Sequence, residues 1–122
     1  MPKKTYLDMA VTNYNIANLV LDRVGEDTGY IRVAGEHLCV AMELALMHAI
    51  EKRGVYGSTP VDARRLLAAL PVSFDVARWK QAVAVLPTWK DVYATPSFED
   101  VLYYKTIVGD LLYYVKEDAY SR

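Results

Sequence analysis

The stretch from Tyr30 to Arg53 is the strongest constraint on the fold. Its centre, Leu38 to Ile50, is 13 residues long and carries Glu43 and His48 inside an otherwise apolar run. A helix built from these residues is apolar nearly all round, so it belongs in the middle of a bundle with neighbours on most sides. A membrane span needs about 18 or more consecutive apolar residues, so a core helix is the expectation. Gly54 follows as a C-terminal stop. At the N-terminus a signal peptide would follow Lys3 and Lys4 with about 7–15 apolar residues. Asp8, Thr12, Asn13, Asn15 and Asn18 interrupt at once, and a cytoplasmic chain is expected.

The remaining helices are marked by their start signals. Thr5-x-x-Asp8 reads as a capping box with Asp in place of the usual Glu. Leu7, Ala10, Tyr14, Ala17 and Leu21 then recur at helical steps, predicting a helix to about Arg23. Thr59-Pro60-Val61-Asp62 gives an N-cap, a proline at the first helical position and an acid at the third. That predicts a short helix to Leu70, stopped by Pro71. Ser73 predicts another through Ala77, Trp79 and Val83 to Leu86, ended by Pro87, with one more turn between Thr88 and Tyr93. Ser97-x-x-Asp100 opens the last helix, whose core stripe is Val101, Tyr104, Val108, Leu111 and Val115, ending near Asp118. No strand alternation is sustained. The expected fold is all-α, an up-and-down four-helix-type bundle with one or two extra short helices, as a single domain over 1–122.

Composition narrows the function classes. Lys plus Arg is 14 against 15 for Asp plus Glu, a net charge of -1, which excludes a dominant basic field for nucleic acid over the whole chain. Cys39 is the one cysteine, so an internal disulfide is excluded and a reducing compartment expected.

Gly35-Glu36-His37-Leu38-Cys39-Val40-Ala41-Met42-Glu43-Leu44-Ala45-Leu46-Met47-His48-Ala49-Ile50 resembles the second helix of HEPN domains, small helical domains of bacteria and archaea. The Gly54 to Leu70 block, with leucines at Leu66, Leu67 and Leu70, is similar to the turn and short helix that follow in that family. Val92-Tyr93-Ala94-Thr95-Pro96 is similar to its Arg-Tyr-Pro region without the Arg, and the first helix, with Tyr6, Ala10, Tyr14 and Ala17, also fits. The resemblance implies association with nucleotides, RNA or a nucleotidyltransferase-like partner, often in toxin–antitoxin or defence settings. It also implies where a ribonuclease site would lie, an Arg and a His near the start of the last long helix. Here no histidine follows His48, and no Arg stands between Arg78 and Arg122. The resemblance therefore points to a non-catalytic HEPN-like binding or assembly module with no cofactor.

Several residues still invite chemistry. Arg32 and His37 have a nuclease-like spacing, at the start of the second helix. Five helical steps set them about 140° apart, so they would meet only across a dimer two-fold. The alternative is a solvated helix end. His37 and His48 share a face but lie about 16 Å apart along the axis, too far for one metal ion, so no metal site is expected. Glu43 is read as a buried polar group held by a hydrogen bond from a neighbouring helix, with a tyrosine hydroxyl as a candidate donor. Arg64, Arg65, Arg78, Lys80 and Lys90 stand against Asp75 alone between residues 64 and 90, net +4. Arg64, Arg65 and Arg78 are the candidate anion-binding residues. Six of the ten tyrosines fall at or after Tyr93. Tyr103, Ile107 and Tyr114 share a flank of the last helix, and Gly109 asks for close approach by another helix. They read as a homodimer seam or as packing within the chain. A helical interaction subunit without a ligand is the third functional alternative.

Overall fold

A computed structural model describes residues 5–24, 28–52, 74–91, 94 and 96–120. At its start the Thr5 N–H donates to Asp8 Oδ2 at 3.1 Å, and the Asp8 N–H donates back to Thr5 Oγ1 at 3.1 Å. This reciprocal pair satisfies two of the N–H groups that a helix start leaves without intrahelical partners. Helix α1 then runs Tyr6–Val24. Its predicted stripe faces inward: Ala10, Ala17 and Leu21 are buried, while Leu7 and Tyr14 pack half-buried against the core.

Helix α2, Thr28–Lys52, begins two residues before the predicted start and ends one residue early. Three residues separate it from α1, and the two helices pack against each other. The helix packs against α1, against the last helix and against a 3-10 turn. Leu38, Met42 and Leu46 are buried at its centre, and Ala34, Ala41, Ala45 and Ala49 let the neighbours approach closely. Burying a leucine-sized side chain contributes about 1.5–3 kcal/mol, so α2 owes its stability to packing, having no acid in its first turn. By length and composition the stretch Tyr30–Glu51 would also suffice to cross a membrane, and most of it is buried inside the fold.

Helix α3, Phe74–Val85, passes into a 3-10 turn over Leu86–Lys90. The α-helix ends one residue short of the predicted Leu86, while the turn expected from Thr88 begins at Leu86, so Pro87 sits inside it. Proline is tolerated in the first positions of the tighter turn because its missing N–H has no partner to lose there. The Thr88 hydroxyl donates to the Val85 carbonyl, and the Asp91 N–H closes on Thr88 O at 3.3 Å. The turn drives Leu86 and Trp89 into the core. Trp89 lies over Gly35 of α2, where a Cβ would sit only 2.8 Å from Trp89 Cε3, and its ring meets Tyr104 edge-on at 5.3 Å.

Helix α4, Phe98–Tyr120, opens on the second box, with the Asp100 N–H donating to Ser97 Oγ at 3.0 Å and the Ser97 N–H to Asp100 Oδ2 at 3.4 Å. The predicted stripe of Val101, Tyr104, Val108, Leu111 and Val115 is buried. Among the described residues the fold is all-α, a bundle of four helices and one 3-10 turn around a common core, without a strand. The predicted helix over 59–70 lies outside the described residues.

Candidate functional site

The polar candidates are each engaged within the chain. Arg32 Nε lies 3.6 Å from Glu36 Oε1, one turn on along α2. His37 turns the other way, its Nδ1 2.9 Å from Asn13 Oδ1 on α1. The Asn13 amide nitrogen donates to the Met9 carbonyl at 2.8 Å. That leaves the Asn13 oxygen facing the imidazole, so Nδ1 carries the hydrogen. Arg32 and His37 therefore serve different partners and do not converge within one chain.

Glu43 is half-buried rather than buried, with 28% of its side chain exposed. The expected tyrosine donor is corrected: Lys90 Nζ, at the end of the 3-10 turn, donates to Glu43 Oε1 at 3.1 Å. The Cys39 thiol, one turn back on α2, donates to the same oxygen at 3.2 Å. Burial, then the neighbouring Glu43 carboxylate, push the Cys39 thiol up to about 12, so it stays protonated and unreactive at neutral pH. The hydrogen bond to Glu43 raises the Lys90 ammonium above the ordinary lysine value. This cluster fastens the 3-10 turn to α2 beside Trp89, which is a structural task.

The cationic candidates are not brought together among the described residues. Arg78 of α3 pairs with Asp110 of α4 at 3.4 Å, which offsets its charge locally. Arg64 and Arg65 lie outside the described residues. No group of three or more His, Cys, Asp or Glu is placed to hold a metal ion among the described residues.

The tyrosine seam divides. Ile107 is 1% exposed and belongs to the chain's own core, as the reading of packing within the chain expects, with Val108 and Leu111 buried beside it. Tyr114 packs its ring on Trp79 of α3 at 4.9 Å. Tyr103 is exposed, its ring edge-on to Tyr104. The close approach at Gly109 comes from within the chain. A Cβ there would lie 2.6 Å from the Tyr14 hydroxyl of α1, which donates to the Lys105 carbonyl at 3.4 Å.

That approach forms the floor of an open groove of about 550 Å³ between α1 and α4. Leu7, Val11 and Tyr14 line it from α1, and Leu112 and Tyr113 from α4. Asp8 stands on the α1 side and Lys116 on the α4 side, both exposed. Tyr113, at 68% exposure, is the most exposed large hydrophobic among the described residues, and Val11 is 39% exposed. Neither was singled out from sequence. The available signal was spacing: Val11 lies four residues after Leu7 and three before Tyr14 at the edge of the α1 stripe, and Tyr113 lies four after Gly109 on α4.

The fold and groove define an all-α bundle with an open two-helix face. Comparison with protein-family models, with curated proteins and with solved structures gives no match.

Proposed function

We propose that this chain is a non-catalytic helical assembly module that binds a protein surface along the α1–α4 groove. The observation that carries the reading is the groove itself, apolar inside and edged by Tyr113. An apolar concavity with an exposed aromatic at its lip is a common mark of an interaction site. Support also comes from the polar candidates, since Arg32, His37, Glu43 and Arg78 already have partners inside the chain. A HEPN-like relationship, resting on Gly35 to Ile50 and its flanks, extends the proposal. It would place the module in the cytoplasm beside a nucleotidyltransferase-like protein, in a toxin–antitoxin or defence setting.

Two other readings compete on stated grounds. The net +4 between residues 64 and 90 favours an anion face for nucleotide or RNA, and a two-fold could bring Arg32 to the His37 of a second copy as a metal-independent ribonuclease. Retention on immobilised phosphate at about 50 mM salt, with RNA incubated alongside in chelator, separates them. The assembly reading expects flow-through and intact RNA. Retention that falls in steps with salt and drops in Arg78→Ala would replace it with the anion face. RNA cleavage abolished by His37→Ala would replace it with the nuclease.

A further inference from the structure

We infer that the outer face of the α1–α2 pair docks an amphipathic helix of a partner protein, one whose own apolar stripe is free of charge. This face is separate from the α1–α4 groove and lies on the other side of α1.

The face is written in the spacing of both helices. On α2, Tyr30, Val33, His37, Val40, Leu44 and Met47 recur at steps of 3 and 4. Tyr30 and Val33 are exposed, and the others are half-buried. Val40 stands two residues from buried Leu38 and two from buried Met42, about 160° round the helix from each, so the row points away from the core. On α1, Met9, Thr12, Ile16 and Leu19 repeat the same steps, and Ile16 and Leu19 are exposed. Ile16 is two residues on from Tyr14, which faces the groove, so this row looks the other way. His37 of the α2 row meets Asn13, which lies three residues before Ile16 and four after Met9. That contact falls about ten residues from the connection on either helix, so α1 and α2 run antiparallel and the two rows lie side by side.

What the face lacks chooses the occupant. None of these positions carries an acid, a lysine or an arginine, in a chain that is 24% charged. Nucleic acid needs cations opposite its phosphates, and helices that lie on a bilayer carry Lys and Arg beside their apolar face. Arg32, beside the α2 row, already lies against Glu36. Steps of 3 and 4 held from Tyr30 to Met47, about 26 Å of helix, are what knobs-into-holes packing by another helix requires. The polar member, His37, spends its Nδ1 on Asn13, and one such polar pair in an apolar seam fixes register. A charge on the partner's docking stripe would be buried here without a counter-charge, so that stripe is apolar as well.

Fluorescence anisotropy with a labelled, uncharged helical peptide tests the inference. The peptide is about 20 residues long, with leucine at heptad positions a and d and alanine and glutamine elsewhere. The full chain should bind it with a Kd of about 1–100 μM. A peptide of the same composition with its leucines moved off the stripe should bind at least about tenfold more weakly. Leu19→Glu and Val33→Glu should each weaken binding by about tenfold or more. Leu102→Glu, a like change at an exposed position on α4, should not. The three side chains are exposed, so the far-UV circular dichroism melts should stay in place, and should Val33→Glu fail to fold, Leu19→Glu decides. No binding, equal binding of the two peptides, or binding indifferent to both face variants would overturn the inference. Sedimentation that shows a dimer dissociated by both variants would give the face to a second copy instead. Adsorption to phosphatidylcholine vesicles, lost in both variants, would give it to lipid.

Discussion

Gly35 and Gly109 each sit in a helix against an aromatic side chain from elsewhere in the chain. At Gly35 an added Cβ would lie 2.8 Å from Trp89 Cε3 and 3.4 Å from Cζ3. That ring is buried and held edge-on to Tyr104, so it has nowhere to go. Gly35→Ala should destabilise the fold by about 1–3 kcal/mol through overpacking. At Gly109 the clash is with the hydroxyl end of Tyr14, which can swing into the groove. Gly109→Ala loses the weak Tyr14–Lys105 hydrogen bond but removes a helix-interior glycine worth about 1 kcal/mol, so its net effect should stay within about 1 kcal/mol of zero. Urea midpoints of the two variants check this; equal losses would mean that Trp89 is not wedged. Gly109 was legible as a mark of close approach, but the approaching residue was not, because Tyr14 lies on the first helix. Arg78 carries the same lesson, its charge plain in the sequence and its partner Asp110 set by the packing of α3 on α4.

Local signals made the elements readable. The Thr5 and Ser97 boxes act within four residues, so their hydrogen bonds could be read before any tertiary structure was known. Thr5→Ala and Ser97→Ala should each lower stability by about 1 kcal/mol, with faster amide exchange confined to the first turns of α1 and α4. Exchange that rises equally through α2 would argue against local capping. The stripes of α1 and α4 were equally legible, since each buried face is written at steps of 3 and 4. The 3-10 turn was not. Pro87 is a stop by propensity, and what continues the chain is the Thr88 hydroxyl on the Val85 carbonyl together with the burial of Leu86 and Trp89. The groove was the least legible feature, because it forms between two seams from opposite ends of the chain.

Among the described residues, four groups favour their protonated forms in the fold. Burial raises the Tyr14 and Tyr104 phenols and the Cys39 thiol, and the hydrogen bond to Glu43 raises Lys90. A group whose folded pKa lies above its unfolded value holds more protons in the native state, so stability must fall as pH rises between the two values. The stabilisation is complete below the ordinary cysteine value of 9.0 and drains away toward about 12 for Cys39, with the lysine and the tyrosines adding at the upper end. Urea midpoints at pH 7, 9 and 10.5 should fall steadily above 9, and Cys39→Ala should flatten the first part of that fall. A flat profile in the parent chain would contradict the burial of the thiol. Helix α2 sets what happens once the fold is lost. Its apolar circumference is satisfied only while its neighbours stay docked, and release exposes a long, largely apolar segment from Tyr30 to Glu51. Without urea to keep the released chain in solution, unfolding should therefore end in aggregation or chaperone capture more often than in refolding. The working lifetime of the protein is then governed by how rarely α2 is let go, a rate rather than an equilibrium.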